Sequence, residues 1–172
     1  VDRRAGRNIK DEEAKELIEE LKAKLEIKGI DWDIKHTVGH RVVLIFRAKE
    51  ELGAKVTNID PAYQRDSKVS SEKIMKVKEA EALDEKSKIS AKILNEFTKK
   101  SYEILRDSFV NKKRKEKGLL PANIILLRDP SNRIPKLPSM KEKYNLNFAC
   151  IAEMPVELGI AKITGMKAFK ID

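Results

Sequence analysis

"IDWDIKHTVGHRVVLIFRA", residues 30–48, decides how the chain is to be read. Ile30, Trp32 and Ile34 alternate with polar residues, the two-residue period of a strand with one buried face. Gly39 permits a tight turn, and "RVVLIFRA" follows as a second, buried strand. Two strands joined across "VGH" make a hairpin, so the sheet is at least partly antiparallel. His40 and Arg41 stand where the turn enters the second strand.

Working outward, "KDEEAKELIEELKAKLEI" places Leu17, Ile18, Leu21 and Leu25 at helical spacing. Acidic residues crowd its first turn, with Asp11 as the expected N-cap and Gly29 as the stop. Downstream, residues 61–86 carry few large apolar side chains and read as a loop excursion. A long helix is expected over about 87–117, burying Ile89, Ile93, Phe97, Ile104, Leu105 and Phe109 and ending in "NKKRKEKG". "PANIILLRDP" reads as a third strand and "PSMKEKY" as a helical turn. "NLNFACIAEM" is a further strand, and "PVELGIAKITGM" a short helix opened by Pro155. Helices and strands in this order, with an early hairpin, predict an α+β two-layer sandwich of ferredoxin-like character. Its mostly antiparallel sheet would be packed by the first helix and the long helix.

The totals fit one domain over residues 1–172: 38% of residues are charged, 41% are hydrophobic, and the formal charge is +9. A single cysteine, Cys150, excludes an intrachain disulfide. With no membrane-length apolar run and no signal pattern, a cytoplasmic location is expected. "VDRRAGRN" opens without methionine and "GMKAFKID" stops half-apolar, so the chain reads as a piece of something longer.

Catalytic machinery is not evident. Two histidines without accompanying Cys/His spacing do not make a metal centre, and no nucleophile elbow or phosphate-cradling glycine loop occurs. What the chain offers is arginine at strand ends and turns, the side chain suited to paired hydrogen bonds with phosphate and carboxylate. Arg41 and Arg128 flank apolar runs, either anchoring a loop carboxylate or facing a ligand. Arg7 and Arg114 read as surface charges, and His36 as strand surface.

Five segments in order carry a resemblance: "VDRRAGR", "GHRVVLIFRA", "NIDP", "N-x-x-R-x-x-x-G-x-x-x-AN-x-x-L-L-R" from Asn111 to Arg128, and "FACIAEMPVELGIAKITGM". Together they resemble the archaeal-type cofactor-independent phosphoglycerate mutases of the alkaline phosphatase superfamily. That resemblance implies a parent isomerase interconverting 2-phosphoglycerate and 3-phosphoglycerate, with two divalent metals (manganese or magnesium) and a phosphorylated serine in its catalytic domain. The metal and serine motifs of that domain are absent here. The chain therefore resembles the inserted, substrate-capping domain alone, inactive by itself, with phosphoglycerate and the catalytic domain of the same polypeptide as its partners. Arg3, Arg4, Arg7, His40, Arg41, Asp60, Asn123 and Arg128 match family positions and are the implied substrate-binding residues. Asn58 departs from the aspartate often found there, and Asp129 stands where the family usually has glycine.

Two readings compete. The net charge and "NKKRKEK" suggest a small nucleic-acid-binding module, but aromatics form only 5% of the chain and do not interleave with the basic residues. The cap of another alkaline phosphatase superfamily hydrolase is the second.

Overall fold

The computed structural model describes residues 5–63 and 76–170 and divides into two compact units, residues 1–132 and 133–172, where the sequence was read as one domain. The first unit is organised by the hairpin. Strands β1 (Asp31–Val38) and β2 (Arg41–Arg47) pair antiparallel, with Trp32 opposite Phe46 and Ile34 opposite Leu44. Gly39 takes a φ of 54° at the turn, a conformation that costs glycine nothing. Ile34 is completely buried, but Val43 and Ile45 on β2 are exposed. β2 is thus half-buried rather than buried throughout, because the helices cover one face of a two-stranded sheet.

Helix α1 (Asp11–Lys24) buries Ala14, Leu17, Ile18 and Leu21 on that face. It ends before Gly29, since Leu25 is already extended. Asp11 is its first residue rather than its cap; the side chain instead accepts a 2.8 Å hydrogen bond from the Gly39 N–H, tying the hairpin turn to the helix start. Helix α2 (Lys88–Arg106) buries Ile93, Phe97 and Leu105. Phe97 meets Trp32 and Phe46 edge-to-face, with ring centroids 5.3 and 5.4 Å apart.

The long helix expected over 87–117 is broken. α2 stops at Arg106, Ser108 is extended, and α3 (Phe109–Glu116) begins afresh. Asn111 Nδ2 donates to the Leu105 carbonyl at 2.7 Å, satisfying a group that the end of α2 leaves open. Phe109 consequently leaves the buried face and is 65% exposed; Ile89 is exposed as well.

Residues 119–128 run without forming a strand ladder among the described residues, and individual bonds hold them in place. Ala122 exchanges bonds with the Asn111 side chain, and the Leu127 carbonyl accepts from the N–H groups of Ile59 and Asp60. Within the excursion over 61–86, residues 64–75 lie outside the described residues. Its final part is well tied: Val56 bridges Ala82, and Asn95 both donates to and accepts from the Ala80 backbone.

Two expected results follow from this corner. A Cβ on Gly53 would run into Ser87 Oγ and lie 2.8 Å from the Lys86 carbonyl oxygen. Gly53→Ala is therefore expected to destabilise by about 1–3 kcal/mol, read as a lower urea midpoint, because backbone cannot move aside cheaply. Asp84 accepts from the Ser87 N–H at 2.9 Å, and hydrogen bonding from Ser87 holds its carboxyl below the ordinary value. A depressed carboxyl stabilises above its unfolded pKa and loses that contribution as pH falls through the folded value. The difference in urea midpoint between wild type and Asp84→Ala should therefore be constant from pH 5 to 8 and shrink below about pH 4.

The second unit comprises α4 (Met140–Tyr144), β3 (Ala149–Ala152), α5 (Pro155–Ile163) and β4 (Lys167–Lys170). Pro155 opens α5 as expected. β3 and β4 pair in parallel, a strand pair that the sequence reading did not include. The α+β class holds, but the described strands form two separate two-stranded sheets, one antiparallel and one parallel.

Candidate functional site

Arg114 organises the start of the first unit. Read from sequence as a surface charge, it is completely buried. Its Nη1 donates to Glu13 Oε2 at 2.6 Å, and Nη2 donates to the Ala5 carbonyl at 3.1 Å and Asn8 Oδ1 at 2.7 Å. Nε donates to the Leu120 carbonyl at 2.9 Å. Helix α3 thereby grips three separate stretches of chain: the opening segment, the first turn of α1, and the entry to 119–128. Asn111, three residues earlier on the same helix and equally buried, fixes Ala122. The "N-x-x-R" spacing thus places two polar side chains on one buried face.

These anchors position several of the expected site residues. Arg7, exposed, lies in the 3-10 turn Ala5–Arg7, between the Ala5 carbonyl and the Asn8 side chain that Arg114 binds. Arg3 and Arg4 lie outside the described residues. His40 and Arg41 are exposed at the hairpin turn, which Asp11 ties to the same end of α1. Below them, His36 is not strand surface: its side chain is 7% exposed, with Nε2 3.0 Å from the Gly39 carbonyl. Asn123 follows the pinned Ala122 and is half-buried.

Asp60 and Arg128 come together in a second group. Asp60 is buried, its Oδ1 accepting from the Ala62 N–H at 3.1 Å, and its own N–H donates to the carbonyl of Leu127, next to Arg128. The Arg128 guanidinium lies over the Tyr63 ring, 4.0 Å from its centroid, with Nε 3.6 Å from Asp129 Oδ2. Asn58 completes the junction: its Nδ2 donates to the Tyr63 carbonyl, and its Oδ1 accepts from the Asp129 N–H at 3.0 Å. An aspartate could not make the first of these bonds. Asp129 has a φ of 54°, so it keeps the left-handed backbone for which glycine is suited, a conformation aspartate tolerates.

Ala122 and Leu127 are five positions apart, a span of at most about 18 Å. Along that segment Asn123 and Arg128 each have a fixed backbone anchor nearby. The arrangement carries guanidinium and imidazole groups at turns held by buried bonds. No three described His, Cys, Asp or Glu side chains converge to hold a metal ion. The basic run that suggested nucleic-acid binding is partly consumed internally: Arg114 is buried, and Lys113 Nζ lies 4.3 Å from the centre of the Phe109 ring. Sequence reading missed Arg114 and Asn111 as anchors, although their spacing lay in the quoted motif; Tyr63 had no distinguishing signal.

Fold and site define a class: an α+β module that carries arginine and histidine side chains at its turns. The family model for 2,3-bisphosphoglycerate-independent phosphoglycerate mutase matches residues 1–111, and the chain belongs to that family. It is 38% identical over 169 residues to the enzyme of that name from Ignicoccus hospitalis, covering 96% of this chain and 38% of that protein. Phosphoglycerate mutase 1 of Methanocaldococcus jannaschii is 39% identical over 174 residues, covering 100% of this chain and 39% of that protein. Among solved structures, the cofactor-independent phosphoglycerate mutase from Thermoplasma acidophilum aligns with a TM-score of 0.65 and 27% identity, covering 99% of this chain and 43% of that one. The chain spans about two fifths of the length of these relatives. No helix among the described residues is long and apolar enough to cross a membrane.

Proposed function

We propose that this chain carries the substrate-capping part of a phosphoglycerate mutase that interconverts 2-phosphoglycerate and 3-phosphoglycerate. The observation that carries this reading is the joining of Asp60 and Arg128, far apart in sequence, through the Leu127 carbonyl in a member of that family. Arg7, His40, Arg41, Asn123 and Arg128, with Arg3 and Arg4, supply cations and hydrogen bonds for the phosphate and carboxylate of the substrate. Asp60 holds the 58–63 turn against Arg128. The cap closes over a reaction centre on another part of the polypeptide and excludes water, so that the phosphoryl group returns to glycerate instead of being hydrolysed. Divalent metals, which the resemblance implies, belong to that other part.

Each charge-assisted hydrogen bond contributes roughly 1.5–3 kcal/mol. In the full-length polypeptide, Arg128→Ala is expected to lower kcat/KM for 3-phosphoglycerate by about 10–100-fold, which is that range converted at 1.4 kcal/mol per tenfold. The 172-residue chain alone, given manganese, is expected to show no turnover. Unchanged kcat/KM in Arg128→Ala and His40→Ala, or turnover by the isolated chain, would sink the capping reading.

A further inference from the structure

Arg128 is held at both of its ends. The Leu127 carbonyl accepts from the Ile59 and Asp60 N–H groups at 2.9 and 3.3 Å, and the Asp129 N–H donates to Asn58 Oδ1 at 3.0 Å. Those bonds fix where the side chain starts. Where it ends is set by Tyr63, whose ring centroid lies 4.0 Å from the guanidinium. The ring in turn is anchored to the same short stretch. Tyr63 closes the 3-10 turn Pro61–Tyr63; its N–H donates to the Asp60 carbonyl at 3.1 Å, and its carbonyl accepts from Asn58 Nδ2. One asparagine side chain thus ties the backbone beside the arginine to the backbone that carries the ring.

This stack is not a core contact: Tyr63 is 42% exposed and the Arg128 side chain 39%. A long side chain at that exposure ordinarily samples many rotamers. Laid flat on a ring, a guanidinium gives up one face, while its N–H bonds stay in its own plane and remain available to an anion at its edge. The Asp129 carboxylate stands 3.6 Å from Nε, too long for a hydrogen bond.

We propose that Tyr63 is a positioning residue for the mutase reaction: its ring sets the plane of the Arg128 guanidinium, so that a phosphate or carboxylate of the substrate meets two parallel N–H donors. The inference rests on the reading that Arg128 binds substrate, and adds the side chain that aims it. An anion then meets a guanidinium that is already ordered, and the cost of ordering it does not fall on binding. The contact is made by the ring face, so the phenol oxygen is not needed for it.

Steady-state kinetics of the full-length polypeptide on 3-phosphoglycerate tests this. Tyr63→Ala is expected to lower kcat/KM by about 2–30-fold, the scale of a cation–π contact. Tyr63→Phe keeps the ring and should restore wild-type kcat/KM to within about twofold, whereas Tyr63→Leu keeps bulk without a π face and should fall with Tyr63→Ala. In an Arg128→Ala background, Tyr63→Ala should cost nothing further, because the group it aims is gone. A merely structural role would lower the melting temperature without producing that coupling. Loss in Tyr63→Phe equal to that in Tyr63→Ala would overturn the inference, as would losses in Tyr63→Ala and Arg128→Ala that multiply. Wild-type kcat/KM in Tyr63→Ala, with Arg128→Ala impaired, would overturn it and leave the capping reading standing. Wild-type kcat/KM in Arg128→Ala would sink the capping reading and the positioning role with it.

Discussion

Arg114→Ala is expected to destabilise the first unit by about 3–5 kcal/mol, the cost of breaking a buried ion pair from one side. Four hydrogen bonds are lost at once, and the carbonyls of Ala5 and Leu120 lose a donor each. The Glu13 side chain is 24% exposed, so water can reach its carboxylate in part, which places the effect toward the lower end of that range. Arg114→Lys should recover little, because one ammonium cannot reach four acceptors arranged around a planar fork. Glu13→Gln, which keeps an acceptor at the same place, should cost much less. Urea denaturation of the three variants ranks them, and hydrogen exchange at residues 5–8 should rise in Arg114→Ala before global unfolding. Equal midpoints for Arg114→Ala and wild type would refute the anchoring role.

Phe97→Ala is expected to cost about 3–5 kcal/mol, the range for removing a buried aromatic side chain and leaving a cavity. Phe97 has no exposed surface and touches both aromatic rings of the hairpin edge-to-face, so its loss removes burial and ring contacts together. Phe97→Leu retains most of the volume and should cost substantially less. Calorimetric melting separates them: the alanine variant should melt at least ~6 °C lower than wild type, taking about 2–8 °C per kcal/mol across this size range. A shift of only a few degrees would mean that α2 and the hairpin repack around the gap.

The hairpin and α1 were legible because their signals are local. Alternation through Trp32 and Ile34, a glycine at the turn, and leucines at three- and four-residue spacing need no partner to be recognised. The break between α2 and α3 was not, because the helical period continues through "DSFV" while the stop depends on Asn111 reaching back to Leu105. Arg114 was hidden in a run of lysines, and its burial is imposed by Glu13 and Asn8, about a hundred positions away in the chain. Residues 121–130 looked like a strand because of their apolar run, yet a strand needs a ladder partner, which composition cannot name. β4 is four residues with lysine at both ends, too short and too charged to announce itself. At the site, Arg128 stood out as an arginine at the end of an apolar run, and Asp60 only through a resemblance. Their meeting, by contrast, comes from the fold of 58–63 against 127–129.

The placement of Trp32 has a practical consequence for spectroscopy. It is the sole tryptophan in the chain, and it belongs to the core of the first unit, against Phe97. Intrinsic fluorescence excited at the red edge of the indole band will therefore report melting of that unit and be blind to residues 133–172. Tyr144, in ring contact with Phe148, is the second unit's native chromophore. A denaturation curve followed by indole emission and one followed by backbone ellipticity need not coincide, and their separation would measure how independently the two units unfold.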